Sequence, residues 1–70
     1  MEGELQKRVG ANLRAYRLAE GLSQEAFADR LAVHRTYMGG VERGERNLTL
    51  RSVERLASRL GIDPLVLLQA

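Results

Sequence analysis

LSQEAFADRLAVHRTYMGGVERGERNLTL, residues 22–50, reads as two short helices that meet at a tight turn and run on into a polar loop. Ser23 is a good helix N-cap, because a serine oxygen can accept from a backbone N–H that has no intrahelical partner, and Gln24 and Glu25 follow in the first turn. Phe27, Ala28 and Leu31 make one buried stripe at helical spacing and leave Glu25, Asp29 and Arg30 for water. A second helix begins at Val33-His34-Arg35-Thr36, with Val33 tucked under the turn and Met38 and Val41 continuing the inward face. Its outward face is different in kind. Arg35, Thr36, Gly39, Gly40 and Arg43 share it at spacings of three and four, which sets long donors beside bare backbone, a surface for approaching something flat and charged.

The flanking sequence reads as support for this pair. A first helix is expected from Glu4 to Ala19, with Leu5, Val9, Leu13 and Tyr16 as its stripe and Gly10 as a mild weakness. Glu20-Gly21-Leu22 has the form of a Schellman stop, since glycine accepts the left-handed conformation and the next apolar residue folds back on the helix. Leu60-Gly61-Ile62 repeats that grammar, and Leu31-Ala32-Val33 has it with alanine where glycine fits best. A left-handed Ala32 would carry strain on the order of 1 kcal/mol. After the polar loop Glu42-Arg43-Gly44-Glu45-Arg46-Asn47, Thr49 caps a fourth helix whose inward positions are Leu50, Val53, Leu56, Ala57 and Leu60. Arg51, Arg55 and Arg59 stripe its opposite side as a solvated face, Arg51 lying nearest the loop. Asp63-Pro64 is an N-cap followed by the helix position that tolerates proline, and a last short helix runs from Leu65 to Gln69. Leu65 and Leu68 can face inward with Ile62, leaving Val66 and Leu67 to point elsewhere. So apolar an ending is expected to carry a self-association surface, within residues 53–70, at Leu65, Val66 and Leu67.

Composition narrows the class. A chain of 70 residues is one domain, residues 1–70, and at that size buries only about 60% of its unfolded surface, so a helical core or a partner is needed. The absence of cysteine excludes disulfides, thiolate metal sites and a thiol nucleophile. One histidine and no carboxylate pair in an evident pocket argue against an enzyme, and with no second ligand near it in sequence His34 is not expected to hold a metal; no cofactor is implied. No apolar run approaches a membrane span and residues 1–10 lack a signal-peptide core, which makes a cytoplasmic protein the expectation. The net charge is only +2, but the eleven basic residues are ten arginines and one lysine, and the pI near 9.7 leans toward anionic partners. Genome composition explains such an excess equally well, so placement has to carry the argument.

Two helices with a turn of about three residues, packed by three others, make an all-α, five-helix domain with a helix-turn-helix at about residues 23–43. The spacing of Ser23-Gln24, Ala28, Val33, Val41, Glu42 and Gly44 resembles the Cro and phage-repressor type, and residues 34–50 are similar to the RTY…G(V/I)ER…RN segment of restriction-modification controller proteins. The resemblance spans nearly the whole chain. It implies a lambda-repressor-like fold and a homodimer that binds double-stranded DNA at a near-palindromic operator, with two dimers on tandem sites and contact with RNA polymerase as further expectations. It also implies that Arg35 and Thr36 read bases. The chemistry agrees, for an arginine can fork onto guanine O6 and N7, and a threonine offers a hydroxyl or a methyl. Tyr37, which matches a position near the operator centre, is the third expected base-reading residue, although its spacing to Val41 also suits the core. Ser23, Gln24, His34, Gly39, Gly40, Arg43, Arg46, Asn47 and Ser52 are the expected backbone contacts, Gln24 at a helix N-terminus where the dipole favours a phosphate. The resemblance further pairs Arg17 with Glu42 to hold the recognition helix on its scaffold.

Three features depart from that pattern. Ala32 replaces the turn glycine, His34 stands where a hydroxyl or carboxylate cap is usual, and Gly39-Gly40 costs about 2 kcal/mol of helix propensity relative to two alanines. Close approach to a groove is the expected compensation for the glycines. A phage-type or antitoxin-like repressor would share nearly all these residues; a helix-turn-helix used as a protein-interaction adaptor is the alternative of another class, and would bind its partner with little dependence on salt or on Arg35.

Overall fold

Local stop and start signals set the architecture. The computed structural model describes residues 3–70 and contains helices α1 (Glu4–Ala19), α2 (Gln24–Leu31), α3 (Arg35–Glu42) and α4 (Leu50–Leu60), followed by a 3-10 helix (Pro64–Leu68). The first two residues of the expected domain lie outside the described residues. Ser23 Oγ accepts from the Ala26 N–H at 3.1 Å, Thr49 Oγ1 from Ser52 N–H at 3.0 Å and Asp63 Oδ1 from Leu65 N–H at 2.9 Å. Each removes one of the orphan donors at a helix start.

All four α-helices close by one motif. The residue after the left-handed position bonds back five residues and the left-handed residue itself bonds inside that ring, as in Leu22 N–H to Arg17 O and Gly21 N–H to Leu18 O, both 3.1 Å. Gly21, Ala32, Gly44 and Gly61 hold the left-handed place with φ of 68°, 57°, 73° and 71°. Ala32 is the single non-glycine among the described residues at positive φ, and it closes α2 through Val33 N–H to Ala28 O at 3.0 Å. The sequence reading has Gly44 only in a polar loop; it is the stop of α3, through Glu45 N–H to Gly40 O at 2.9 Å.

The core is filled from every helix, with Leu13, Phe27, Leu31, Met38, Val41, Ala57 and Leu67 all essentially without exposure. α1 packs on α3 and on the 3-10 helix, and α2 packs on α3 and α4. The α1–α3 contact is a backbone contact. A Cβ at Gly10 would overlap the carbonyl oxygen of Val41 and stand 2.8 Å from that of Glu42, so the mid-helix glycine is what lets the two helices meet. Asn12, two residues on, donates from Nδ2 to Leu67 O at 2.9 Å and Gln69 O at 2.7 Å, and lies 3.4 Å from Val66 O, which ties the terminal segment to α1.

Four expectations need correction. The fifth element is a 3-10 helix, so the described residues form four α-helices and not five. Three residues per turn in that element bring Leu67 into the core at 1% exposure and leave Leu65 outside at 63%, the reverse of the inward and outward faces expected for an α-helix. Leu67 is therefore no interface residue in this fold, while Leu65 and Val66 remain exposed. Leu5 and Leu50, expected inward, are 58% and 75% exposed, because each sits at a helix end beyond the reach of the opposing layer. Lastly, the arginine stripe on α4 is only partly solvated, since Arg59 Nη1 donates to Leu31 O at 2.7 Å and satisfies a free carbonyl at the end of α2. No helix among the described residues is long and apolar enough to cross a membrane.

Two substitutions between glycine and alanine should act in opposite senses to their helix propensities. Ala32→Gly relieves the left-handed alanine and is expected to raise stability by about 0.5–1 kcal/mol, read as a higher urea midpoint with unchanged slope. Gly10→Ala, favoured by propensity, is expected to lower stability by about 2 kcal/mol or more, because the methyl overlaps carbonyl groups that cannot move without separating α1 from α3.

Candidate nucleic-acid interface

The face that carries Arg35 and Thr36 is built on α3, a helix of eight residues, about 12 Å long and far too short to hold its own conformation. Its rear is fixed by Glu42, nine-tenths buried, whose carboxylate takes hydrogen bonds from three directions. Arg17 Nε donates to Oε2 at 2.8 Å and Arg17 Nη2 to Oε1 at 3.0 Å, a forked pair, while Gln24 Nε2 donates to Oε1 at 3.1 Å. The third arm of Arg17, Nη1, donates to Leu22 O at 3.1 Å. The hydrogen bond to Glu42 raises the Arg17 pKa above its ordinary value, burial opposes it, and the carboxylate's charge adds to the rise. One arginine thus joins α1, the entry to α2 and the end of α3.

The front of α3 is set by its start. His34 occupies the N-cap with extended backbone, and its Nδ1 accepts from the Thr36 N–H at 3.1 Å, so the ring does the work of the hydroxyl or carboxylate usual there. That bond fixes Nδ1 as the acceptor and turns Nε2 outward as the donor. Arg35 and Thr36 follow, both exposed, with no side-chain hydrogen bond among the described residues. Arg35 borders a shallow depression shared with Glu25, Asp29, Val33 and His34.

Behind this edge the expected picture changes. Gly39 and Gly40 are buried, not bare backbone facing outward. A Cβ at Gly39 would stand 3.2 Å from Arg43 Nη1 and 3.4 Å from Gln24 Oε1, and one at Gly40 would stand 3.1 Å from Arg46 Nε. The missing side chains make room for long neighbours to cross the helix. Gln24, expected to reach a phosphate, spends one amide hydrogen on Glu42 and retains the other. Arg43 Nε bonds Glu45 Oε1 at 3.0 Å, but both side chains are about 60% exposed, and such a pair contributes at most about 1 kcal/mol and exchanges easily for another anion. Arg46 lies over the Tyr37 ring with its guanidinium carbon 5.2 Å from the centroid. Asn47 Oδ1 accepts from Gln6 Nε2 at 3.3 Å, and Ser52 Oγ is 2.9 Å from Thr49 Oγ1 at the start of α4.

The structure therefore brings Ser23, Gln24, His34, Arg35, Thr36, Arg43, Arg46, Asn47 and Ser52 onto helix starts and the loop after α3, around one helix. Two contributors escape sequence reasoning. Gln6 steadies Asn47 from 41 residues away, and Lys7 packs its stem on Gly44, where an added Cβ would be 2.9 Å from the Lys7 Cα. No pattern in the sequence points to either. Glycine in the middle of an otherwise regular α1 is a signal for the close contact at Gly10, because its propensity cost needs a compensating reason.

This arrangement, a locked short helix presenting arginine and threonine beside a helix entry, is that of helix-turn-helix proteins, and the family model described as "Helix-turn-helix domain" matches residues 8–69. The control protein C.SmaI of Serratia marcescens is 44% identical over 57 residues, covering 81% of this chain and 68% of that protein. The crystal structure of the restriction-modification controller protein C.AhdI from Aeromonas hydrophila superposes with a TM-score of 0.76 at 45% identity, over 89% of this chain and 94% of that one. A third likeness is to the controller protein C.Esp1396I, crystallised as a tetramer with its natural 35 base-pair operator, with a TM-score of 0.77 and 34% identity over 91% and 84% of the two chains. The chain belongs to the restriction-modification controller proteins within the helix-turn-helix family.

Glu42→Ala should show how much the reading helix owes to this lock. Removing the carboxylate leaves Arg17, 13% exposed, without its partner, and is expected to cost about 3 kcal/mol in a denaturant titration. Glu42→Gln, which keeps the shape and loses the charge, should cost less.

Proposed function

We propose that this chain is a sequence-specific DNA-binding transcriptional regulator that acts as a homodimer on a near-palindromic operator and, as a controller, both activates and represses its own promoter and that of an endonuclease. The observation that carries the reading is the first turn of α3. Arg35 and Thr36 are exposed there without partners among the described residues, on a helix whose opposite side is held by buried, fully satisfied groups. Side chains left unpaired on a rigid edge are suited to base edges, whereas Ser23, Gln24, His34, Arg43, Arg46, Asn47 and Ser52 are placed for phosphates on either flank.

The scale of one copy suits a dimer. The longest extent of the Cα trace is 31 Å, close to one turn of B-DNA, so one copy spans one half-site and a second copy, related by a two-fold, takes the next major groove about 34 Å away. The second copy is assigned to the apolar surface that includes Leu65 and Val66. Residues 1–70 act as one domain, with the helix-turn-helix at about residues 23–43. Occlusion of a promoter needs nothing more than operator binding; activation also requires contact with RNA polymerase, and graded control follows when two dimers occupy tandem sites.

Selection of bound duplexes from a random library, run at fixed salt with the wild-type chain and Arg35→Ala in parallel, tests this. The wild type is expected to enrich a two-fold motif. Arg35→Ala is expected to blur one position in each half-site and weaken binding by about 2 kcal/mol, roughly thirty-fold, per half-site, the worth of one forked arginine–guanine contact. Affinity should fall steeply with added salt as phosphate contacts release counterions. A folded dimer that enriches nothing would sink the proposal and favour a protein partner.

A further inference from the structure

Arg46 is placed as a phosphate contact in the reading above, but its position in the free protein serves a second purpose. It belongs to the loop after α3, yet its side chain runs back along that helix until the guanidinium carbon is 5.2 Å from the centroid of Tyr37, nine residues earlier. The path crosses Gly40. A Cβ at that position would stand 3.1 Å from Arg46 Nε, 3.2 Å from Cγ and 3.6 Å from Cδ, with no other atom among its nearest neighbours, so the glycine forms a slot for this one side chain. Tyr37 itself is half-buried next to Arg35 and Thr36, and lines a cleft with Val33, Ser52 and Arg55. Arg46 bears on its ring as well.

The guanidinium lies over the ring, and Arg46 makes no hydrogen bond among the described residues, so its N–H groups are available to another acceptor. It can therefore hold the ring and donate to a phosphate at once. A lysine at the same place could supply charge to the phosphate but not a flat surface to the ring. We propose that Arg46 is a positioning residue for Tyr37, so that discrimination at the base step Tyr37 meets depends on a side chain that touches only the DNA backbone. Gly40 is part of the device, because it is the opening through which Arg46 reaches the ring. The inference rests on the DNA-reading function proposed above.

The test compares selected-duplex profiles and salt slopes for wild type, Tyr37→Ala, Arg46→Lys, Gly40→Ala and the Tyr37→Ala/Arg46→Lys double variant. The positions that lose preference in Tyr37→Ala define the step. Arg46→Lys is expected to keep the wild-type salt slope and lose about five-fold of the preference at that step, with no further loss when added to Tyr37→Ala. Gly40→Ala removes a helix glycine and displaces only a flexible side chain, so it should fold with an equal or higher Tm and lose the same preference. A readout without DNA accompanies these: in the NMR spectrum of the free protein the Arg46 Cδ protons should be shifted upfield by the Tyr37 ring and return on Tyr37→Leu. Uniform weakening by Arg46→Lys with an unchanged profile would overturn the proposal and leave Arg46 a plain phosphate contact; so would a profile indifferent to Tyr37→Ala. If the wild type enriches no motif while the ring shift is present, the DNA reading itself fails and the stack is a packing contact alone.

Discussion

The carboxylate of Glu42 is the point through which the rest of the reading surface is held. α3 has eight residues, two of them adjacent glycines, and nothing in its own sequence would keep it helical in water. Its direction is imposed by the fork from Arg17 and the amide of Gln24, and its distance from the scaffold by the backbone contact at Gly10. A buried ion pair of this type adds little net stability once the loss of hydration is counted, so its value lies in geometry. Gln24 gives the lock a further property. The same side chain that bonds Glu42 stands at the start of α2, so α3 and the phosphate contact proposed for Gln24 would share a single hydrogen-bond network.

Charge in this protein is more structural than its composition suggests. Arg17 holds Glu42, Arg59 closes a carbonyl of α2, Arg30 bonds Glu20 at 3.2 Å and lies 5.9 Å from the Tyr16 ring centroid, and Arg46 covers Tyr37. Arginine suits these places because one planar group can bond along its edge and stack by its face. The preference for arginine over lysine therefore reflects internal architecture as well as an anionic partner, and the excess taken as a whole says little about DNA. What speaks to DNA is which arginines are left over, and Arg35 at the start of α3 is the clearest of them.

Chain signals were most legible where a feature is decided within a few residues. Ser23, Thr49 and Asp63 cap as their chemistry dictates, α1 runs over the expected Glu4–Ala19, and Ala32 adopts the left-handed conformation its place between Leu31 and Val33 requires. Periodicity failed at the ends of elements. Leu5 and Leu50 are in phase with their stripes but extend past the layer that would cover them, and phase carries no information about length. The final element failed for a related reason, since PLVLL suits a 3-10 turn as well as an α turn and the choice exchanges Leu65 and Leu67 between the outward and inward faces. The pairing of Arg17 with Glu42 came from resemblance to a family and not from spacing, because two charges 25 residues apart have no local signature. Gly39 and Gly40 were legible as sites of close approach, but what approaches them in the free protein is Arg43, Gln24 and Arg46.

The amide of Asn12 has a consequence for assembly. By gathering carbonyls of Leu67 and Gln69 it fastens the last few residues to the middle of α1, and with Leu67 sunk in the core it leaves Leu65 and Val66 as a ridge that is already ordered in the isolated chain. A tail that had to become ordered on meeting its partner would lose about 1–2 kcal/mol of backbone entropy per residue fixed at that moment. Here that loss is incurred on folding. In the proposed dimer two copies would meet as rigid bodies, and the angle between their α3 helices would be set before either encountered DNA.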